Sequence, residues 1–235
     1  MTNLPIDTIL PDLRAALRST GRAVLQAPPG AGKTTRVPLA LLPDVAGKIL
    51  MLEPRRLAAR GAAARMAETL GEPLGQTVGY RMRGDAQVSK STRIEVITEG
   101  ILTAMLQSAP DLPGVDVVIF DEFHERSLTA DLGLALTWEV RGALRDDLQI
   151  VVMSATLDAA PVAAMLDDAP ILTAEGRAYP VDIRHRDRPV PQGQRYEAAM
   201  AGLVNRALEE VSEGSCLVFL PGVGEINKVA QALGP

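Results

Sequence analysis

The sequence predicts an α/β fold: a doubly wound, mainly parallel sheet with helices on both faces. Three observations predict it. Short apolar runs alternate along the 235 residues with longer segments of helical period. Several runs are apolar throughout, as strands covered on both faces are. Aromatic residues make up 3% of a chain that is 47% hydrophobic, so the core must be built from Ala, Leu, Val and Ile, as buried parallel sheets are.

The elements follow in order. A strand is expected over residues 22–27, running into Pro28-Pro29-Gly30, with a helix over 34–42. A second strand, 48–53, leads to a helix over 57–70, and a third, 93–98, to a helix over 100–107. The fourth strand, 116–121, ends in two carboxylates and precedes a helix over 128–144. The fifth, 149–154, ends in Ser154-Ala-Thr156 and precedes a helix over 158–166. Residues 173–195 are polar and rich in proline, the composition of a boundary. Beyond them a helix over 196–211 and a sixth strand over 215–220 are expected. The chain thus divides into residues 1–173 and 174–235, and the second part is short for an α/β domain, which needs about 100 residues. It is expected to be truncated. In doubly wound sheets ligands bind beyond the carboxyl ends of the strands. The ends of the first, fourth and fifth strands should therefore converge on one crevice.

A net charge of −5 argues against a protein that grips nucleic acid by bulk charge, but leaves room for a local basic groove. The sole cysteine, Cys216, sits in an apolar run and is expected to be core packing. No signal peptide or membrane span is visible, so a cytoplasmic location without a membrane partner is the expectation.

Residues Ala27-Pro-Pro-Gly-Ala-Gly-Lys-Thr34 lie between a predicted strand and a predicted helix, the context a phosphate-binding loop requires. Glycines allow a tight turn whose N–H groups face phosphate oxygens, and the following helix adds its positive end. Pro29, Gly30, Ala31, Gly32, Lys33, Thr34 and Thr35 are the candidate nucleotide contacts. Lys33 would reach the β- and γ-phosphates and Thr34 would bind Mg²⁺. Ala27 stands where the strict pattern has glycine, and a small residue there suffices.

Residues Val117-Val-Ile-Phe120 deliver Asp121 and Glu122 to a strand end. Adjacent carboxylates repel unless a cation offsets the repulsion, so Asp121 is the second candidate Mg²⁺ partner. Glu122 is the candidate general base that orients the attacking water. His124 could sense the γ-phosphate, and Ser154 and Thr156 could hydrogen-bond the acidic segment and shift when phosphate leaves.

Together these residues resemble the superfamily 2 helicases of the DEAH/DExH class, and within it the bacterial HrpB-type subgroup. The resemblance rests on residues 27–34, Pro54-Arg-Arg-Leu-Ala-Ala-Arg60, Thr98-Glu-Gly-Ile-Leu102, Asp121-Glu-Phe-His124, Ser154-Ala-Thr156, Gly176-Arg-Ala-Tyr-Pro-Val181 and Leu217-Val-Phe-Leu-Pro-Gly222. It implies two RecA-like domains with ATP between them. It also implies arginine fingers from a Gln-x-x-Gly-Arg-x-Gly-Arg motif, which does not occur in these residues. It puts Pro54, Arg55 and Arg56 on the backbone of single-stranded nucleic acid, with RNA favoured over DNA. Thr98, Glu99 and Gly100 would form a second contact, at a helix N-terminus. Arg81 and Arg83 make a third basic cluster. Arg65 matches the arginine that stacks on adenine, which discriminates weakly among ATP and other triphosphates. The expected function is an ATP-dependent helicase or translocase. The alternative is a nucleoside-triphosphate switch or RNA-binding module without unwinding.

Overall fold

The computed structural model describes residues 4–155, 159–176, 180–186, 189–190, 195–211 and 213–234. The chain separates into two compact units, Met1–Ala178 and Tyr179–Pro235.

The first unit is built on one sheet. Its strands are β1 (Arg22–Gln26), β2 (Lys48–Leu52), β3 (Val78–Met82), β4 (Asp85–Gln87), β5 (Ile94–Ile97), β6 (Val115–Phe120), β7 (Gln149–Ser154) and β8 (Ile171–Thr173). Across the sheet they lie in the order β4-β3-β5-β2-β6-β7-β1-β8, parallel except for the β3–β4 hairpin. Its helices are α1 (Leu10–Thr20), α2 (Lys33–Leu41), α3 (Arg56–Leu70), α4 (Glu99–Ser108), α5 (Leu128–Ala143) and α6 (Ala159–Met165).

Strand side chains alternate between faces, and the packing follows that period. Ala23, Leu25, Ile49, Met51, Val117, Ile119, Val151 and Met153 join one core with residues of α1, α2 and α3. Val24, Leu50, Leu52, Val118, Phe120, Ile150 and Val152 join the other with residues of α4, α5 and α6. Both faces are dry, which is why the central strands read as unbroken apolar runs.

The five strands expected in this unit and their following helices are present. Four further elements carry weaker patterns. β3 is interrupted by Gly79 and Arg81, while β4 and β8 are edge strands of three residues each. α1 buries only Leu13, Ala16 and Leu17. Its apolar stripe has the i, i+3, i+4 spacing of a helix lying on a sheet.

The second unit contains α7 (Tyr196–Glu210) and α8 (Val223–Leu233). The strand expected over 215–220 is not formed: these residues carry no regular secondary structure, and Leu217 and Phe219 are 78% and 82% exposed. A strand needs a neighbour to take its N–H and C=O groups, and the described residues of this unit provide none. Cys216 is correspondingly exposed rather than buried.

Candidate nucleotide-binding site

The phosphate-binding loop leaves the end of β1 and enters α2. Gly30 and Gly32 have φ of 77° and 93°, the left-handed region that glycine adopts without strain. A Cβ on Gly32 would stand 2.6 Å from the Leu4 side chain. Leu4 and Ile6 therefore pack directly on the loop, and Ile6 donates its N–H to the Ala31 carbonyl. Ala27, at the motif's first position, is buried and donates its N–H to the Ser154 carbonyl at 3.0 Å. On the far side, Ala174 donates to the Gln26 carbonyl, and Gly176 lies so close to Pro28 that a Cβ would overlap it. The segment after β8 thereby stays with the first unit.

The ends of β1, β6 and β7 meet as their order in the sheet requires. Gln26 pairs with Ser154, and Phe120 with Val152. Asp121 and Glu122 follow Phe120, and Lys33 opens α2. The Lys33 Nζ lies 3.1 Å from Glu122 Oε1. Lys33 and Asp121 are each only 4% exposed. A buried ammonium must be paired, and Glu122 is its partner.

Asp121 is held tightly. It donates its backbone N–H to the Leu52 carbonyl, and its Oδ1 accepts from the Glu122 N–H at 2.8 Å. The Thr34 hydroxyl also hydrogen-bonds its carboxylate. Desolvation pushes its pKa up to about 6, helped by the charge of Glu122, while Thr34 and Lys33 pull it down. Its Oδ2 is buried without a hydrogen-bond partner. A buried, unpartnered carboxylate oxygen beside a threonine hydroxyl is a donor set a hard divalent cation fits. Among the described residues no group of three or more His, Cys, Asp or Glu side chains could hold a metal by itself. Two protein oxygens suit Mg²⁺, which takes its remaining ligands from water and phosphate.

Beyond Glu122 the chain makes one tight turn, Phe123–Glu125. Glu122 and Arg126 flank it, both with φ of 51°, a conformation that costs a non-glycine residue about 1–3 kcal/mol. Phe123 anchors the turn: it is buried and meets Phe120 edge to face at 6.3 Å. The His124 Nδ1 lies 3.3 Å from Glu122 Oε2 and accepts the Ala155 N–H at 3.4 Å, linking the turn to the end of β7. Ser154 is fully buried there. Thr156 lies outside the described residues.

Sequence reasoning missed Glu53. It closes the β2 run, is 3% exposed, and stands close enough to Asp121 and Glu122 for all three charges to interact. Burial, then Asp121, pushes its pKa up to about 7. The available signal was a carboxylate ending an apolar run directly before Pro54-Arg55-Arg56.

The expected nucleic-acid residues fall at the ends of β2, β3 and β5. Arg55 is exposed and Pro54 half-buried. Arg56 donates to the Arg83 carbonyl at 2.9 Å and so holds the β3–β4 turn, leaving the Arg83 side chain exposed. Arg81 is bound through Nε to the buried carboxylate of Glu95, so part of its charge is already spent. Thr98 stands at the N-cap position of α4 without a side-chain capping bond, and Gly100 is exposed in the first turn. Glu99 accepts the Ser127 hydroxyl at 2.6 Å and the Thr129 hydroxyl, tying α4 to the start of α5. Arg65 is exposed on α3 and pairs with Glu68 one turn on.

Comparisons with known proteins bear on this arrangement. The chain is 52% identical over 235 residues to the ATP-dependent RNA helicase HrpB of Escherichia coli strain K12, covering 99% of this chain and 29% of that protein. It is 36% identical to the ATP-dependent RNA helicase HrpA of the same organism, covering 98% of this chain and 18% of the relative. It therefore spans less than a third of the length of these relatives. A crystal structure of the Escherichia coli DEAH/RHA helicase HrpB superposes with a TM-score of 0.88 at 52% identity, covering 98% of this chain and 29% of that one. A second, of the E. coli DExH-box NTPase HrpB, gives a TM-score of 0.76 at 51% identity, covering 99% and 29%. The model of the DEAD/DEAH box helicase family matches residues 11–165, which hold the phosphate loop, the acidic turn and the strands that bring them together, and the chain belongs to that family.

Proposed function

We propose that this chain is the nucleotide-binding portion of an ATP-dependent helicase acting on single-stranded nucleic acid, with RNA favoured over DNA. One observation carries the reading: Lys33 at the start of α2 meets Asp121 and Glu122 at the end of β6, and one buried carboxylate oxygen among them is left unsatisfied. The RNA helicases to which the chain is similar support the choice of strand.

In this reading the backbone N–H groups of residues 30–35 receive the phosphates, with Pro29 contributing shape but no donor. Lys33 exchanges Glu122 for phosphate oxygens, which frees Glu122 to orient a water in line with the γ-phosphate. Thr34 and Asp121 would hold Mg²⁺. That cation, when bound, neutralises charge developing on the phosphoryl oxygens. His124 would carry the state of Glu122 to Ala155 at the end of β7, and Ser154 and Thr156 would complete that coupling. Arg55, Arg56, Arg83 and the α4 N-terminus would take backbone phosphates of the strand, with Arg81 contributing less because Glu95 shares it. Arg65 would stack on the purine, so several triphosphates should be hydrolysed at similar rates.

The test is Glu122→Gln in the full-length protein. Hydrolysis should fall at least about a hundredfold, within the range general-base loss gives, while nucleotide affinity stays near wild type. Hydrolysis that survives the change would remove Glu122 from its role. Stimulation of the wild-type ATPase by single-stranded RNA, compared with single-stranded DNA, tests the strand. These 235 residues alone are expected to hydrolyse ATP slowly and not to unwind, since the arginine-finger motif is not among them.

A further inference from the structure

The Arg55 guanidinium sits between two carboxylates. Its Nη2 lies 2.9 Å from Glu125 Oε1 and its Nε 3.9 Å from Glu53 Oε1. Its own backbone N–H donates to the same Glu53 oxygen at 3.3 Å. The two acids differ in kind. Glu53 is buried at the end of β2 and has no room to leave. Glu125 is at the surface, with its side chain 36% exposed against 64% for Arg55.

Glu125 also belongs to the turn that carries Glu122. Its N–H donates to the Glu122 carbonyl at 2.9 Å, and Glu122 is held in the left-handed region. Movement of Glu125 therefore acts on the backbone of Glu122. At its other end the segment is fixed, because Ser127 and Thr129 are bound by Glu99. The Arg55–Glu125 contact is thus the tether between this segment and a proposed strand-contact residue, and it is exposed enough to be exchanged. A carboxylate offers an arginine the same sign of charge and a similar pair of acceptors as a phosphate does. An exposed pair of this kind is weak enough for a phosphate to displace.

We propose that Glu125 is a resident stand-in for a nucleic-acid phosphate: it occupies Arg55 while no strand is bound, strand binding displaces it, and its release alters the turn that carries Glu122. This rests on Arg55 being a strand contact, as read above. Glu53 keeps its hold on Arg55 throughout, so the guanidinium exchanges one partner and stays oriented. Glu125 is a positioning residue: it touches neither nucleotide nor strand.

The test uses the full-length protein, a fluorescent single-stranded RNA and no nucleotide for binding, then ATPase with and without that RNA. Glu125→Gln should tighten RNA binding about two- to fivefold, the range a lost surface ion pair allows, and raise the RNA-free ATPase. Glu125→Asp, which keeps the charge, should retain wild-type affinity. In an Arg55→Ala background the Glu125→Gln change should leave affinity unaltered, since the competitor no longer has anything to compete for. Wild-type affinity in Glu125→Gln would overturn the proposal. So would an equal gain in the Arg55→Ala background, which is what simple repulsion between an acid and RNA would give. Tighter binding with an unchanged RNA-free ATPase would overturn the link to Glu122. A wild-type ATPase that no nucleic acid stimulates, with no binding of the RNA, would instead sink the strand reading on which the exchange depends.

Discussion

At the scale of single residues, the site is a problem in desolvated charge. Lys33, Glu53 and Asp121 are all nearly inaccessible, and only Lys33 brings a positive charge among them. Ion pairing with Glu122 satisfies Lys33, and the acids bear the cost as raised pKa values. Glu53 gives a measurable consequence. Its pKa is about 7 in the folded chain against 4.5 ordinarily. Between those values the folded chain keeps a proton that the unfolded chain has released, so stability falls as pH rises through the window. Glu53→Gln keeps the oxygen that accepts the Arg55 N–H but removes the titration. It should match wild type at about pH 4.5 and exceed it by on the order of 2–3 kcal/mol at about pH 8. Urea midpoints of the nucleotide-free protein at the two pH values decide this. A variant less stable than wild type at the higher pH would show that Glu53 is ionised and structurally required there.

At the scale of elements, the turn between β6 and α5 is under tension that its neighbours must absorb. Ser127 caps α5 by accepting the Ala130 N–H at 3.0 Å, and gives its own hydroxyl proton to Glu99. Ser127→Ala removes both bonds. It should cost about 1–2 kcal/mol in a denaturant titration. Because Glu99 would then hold the start of α5 through Thr129 alone, hydrolysis should fall as well, and stability loss without any change in rate would count against that link. The central elements were legible in the sequence because each has one strong signal. β1, β2, β6 and β7 are apolar on both faces, and the loop after β1 and the carboxylates after β6 have spacings that phosphate and cation binding dictate. β4 and β8 were not legible, because an edge strand is fixed by the strand beside it more than by its own composition, and β3 was not because Gly79 and Arg81 interrupt its apolar run. The run 215–220 shows the converse: it has the composition of a strand but lacks a partner in its unit. Cys216 was misread as core for the same reason. Arg81, Glu99 and Arg56 looked like free contacts, yet each has a structural partner from a distant segment, Glu95, Ser127 or the Arg83 carbonyl. Pairings across the sheet leave no mark in local sequence.

At the scale of the whole molecule, all phosphate and cation contacts proposed above lie before Ala178. Both hydrophobic cores are also complete within that unit, their buried members running from Ile6 to Ala174. The described residues of the second unit hold two helices and contribute none of the proposed nucleotide contacts. A polypeptide of residues 1–178 should therefore fold and bind Mg²⁺–ATP with an affinity within about threefold of residues 1–235, a difference under about 0.7 kcal/mol. Gly176 must be kept, since its packing on Pro28 is part of what fixes the phosphate loop. Titration of a fluorescent ATP analogue against both polypeptides, with and without Mg²⁺, measures this directly. Loss of Mg²⁺ should weaken binding equally in the two, because Thr34 and Asp121 are common to them. If residues 179–235 raised the affinity tenfold or more, groups of the second unit would have to touch the nucleotide. The assignment of binding to the first unit alone would then fail.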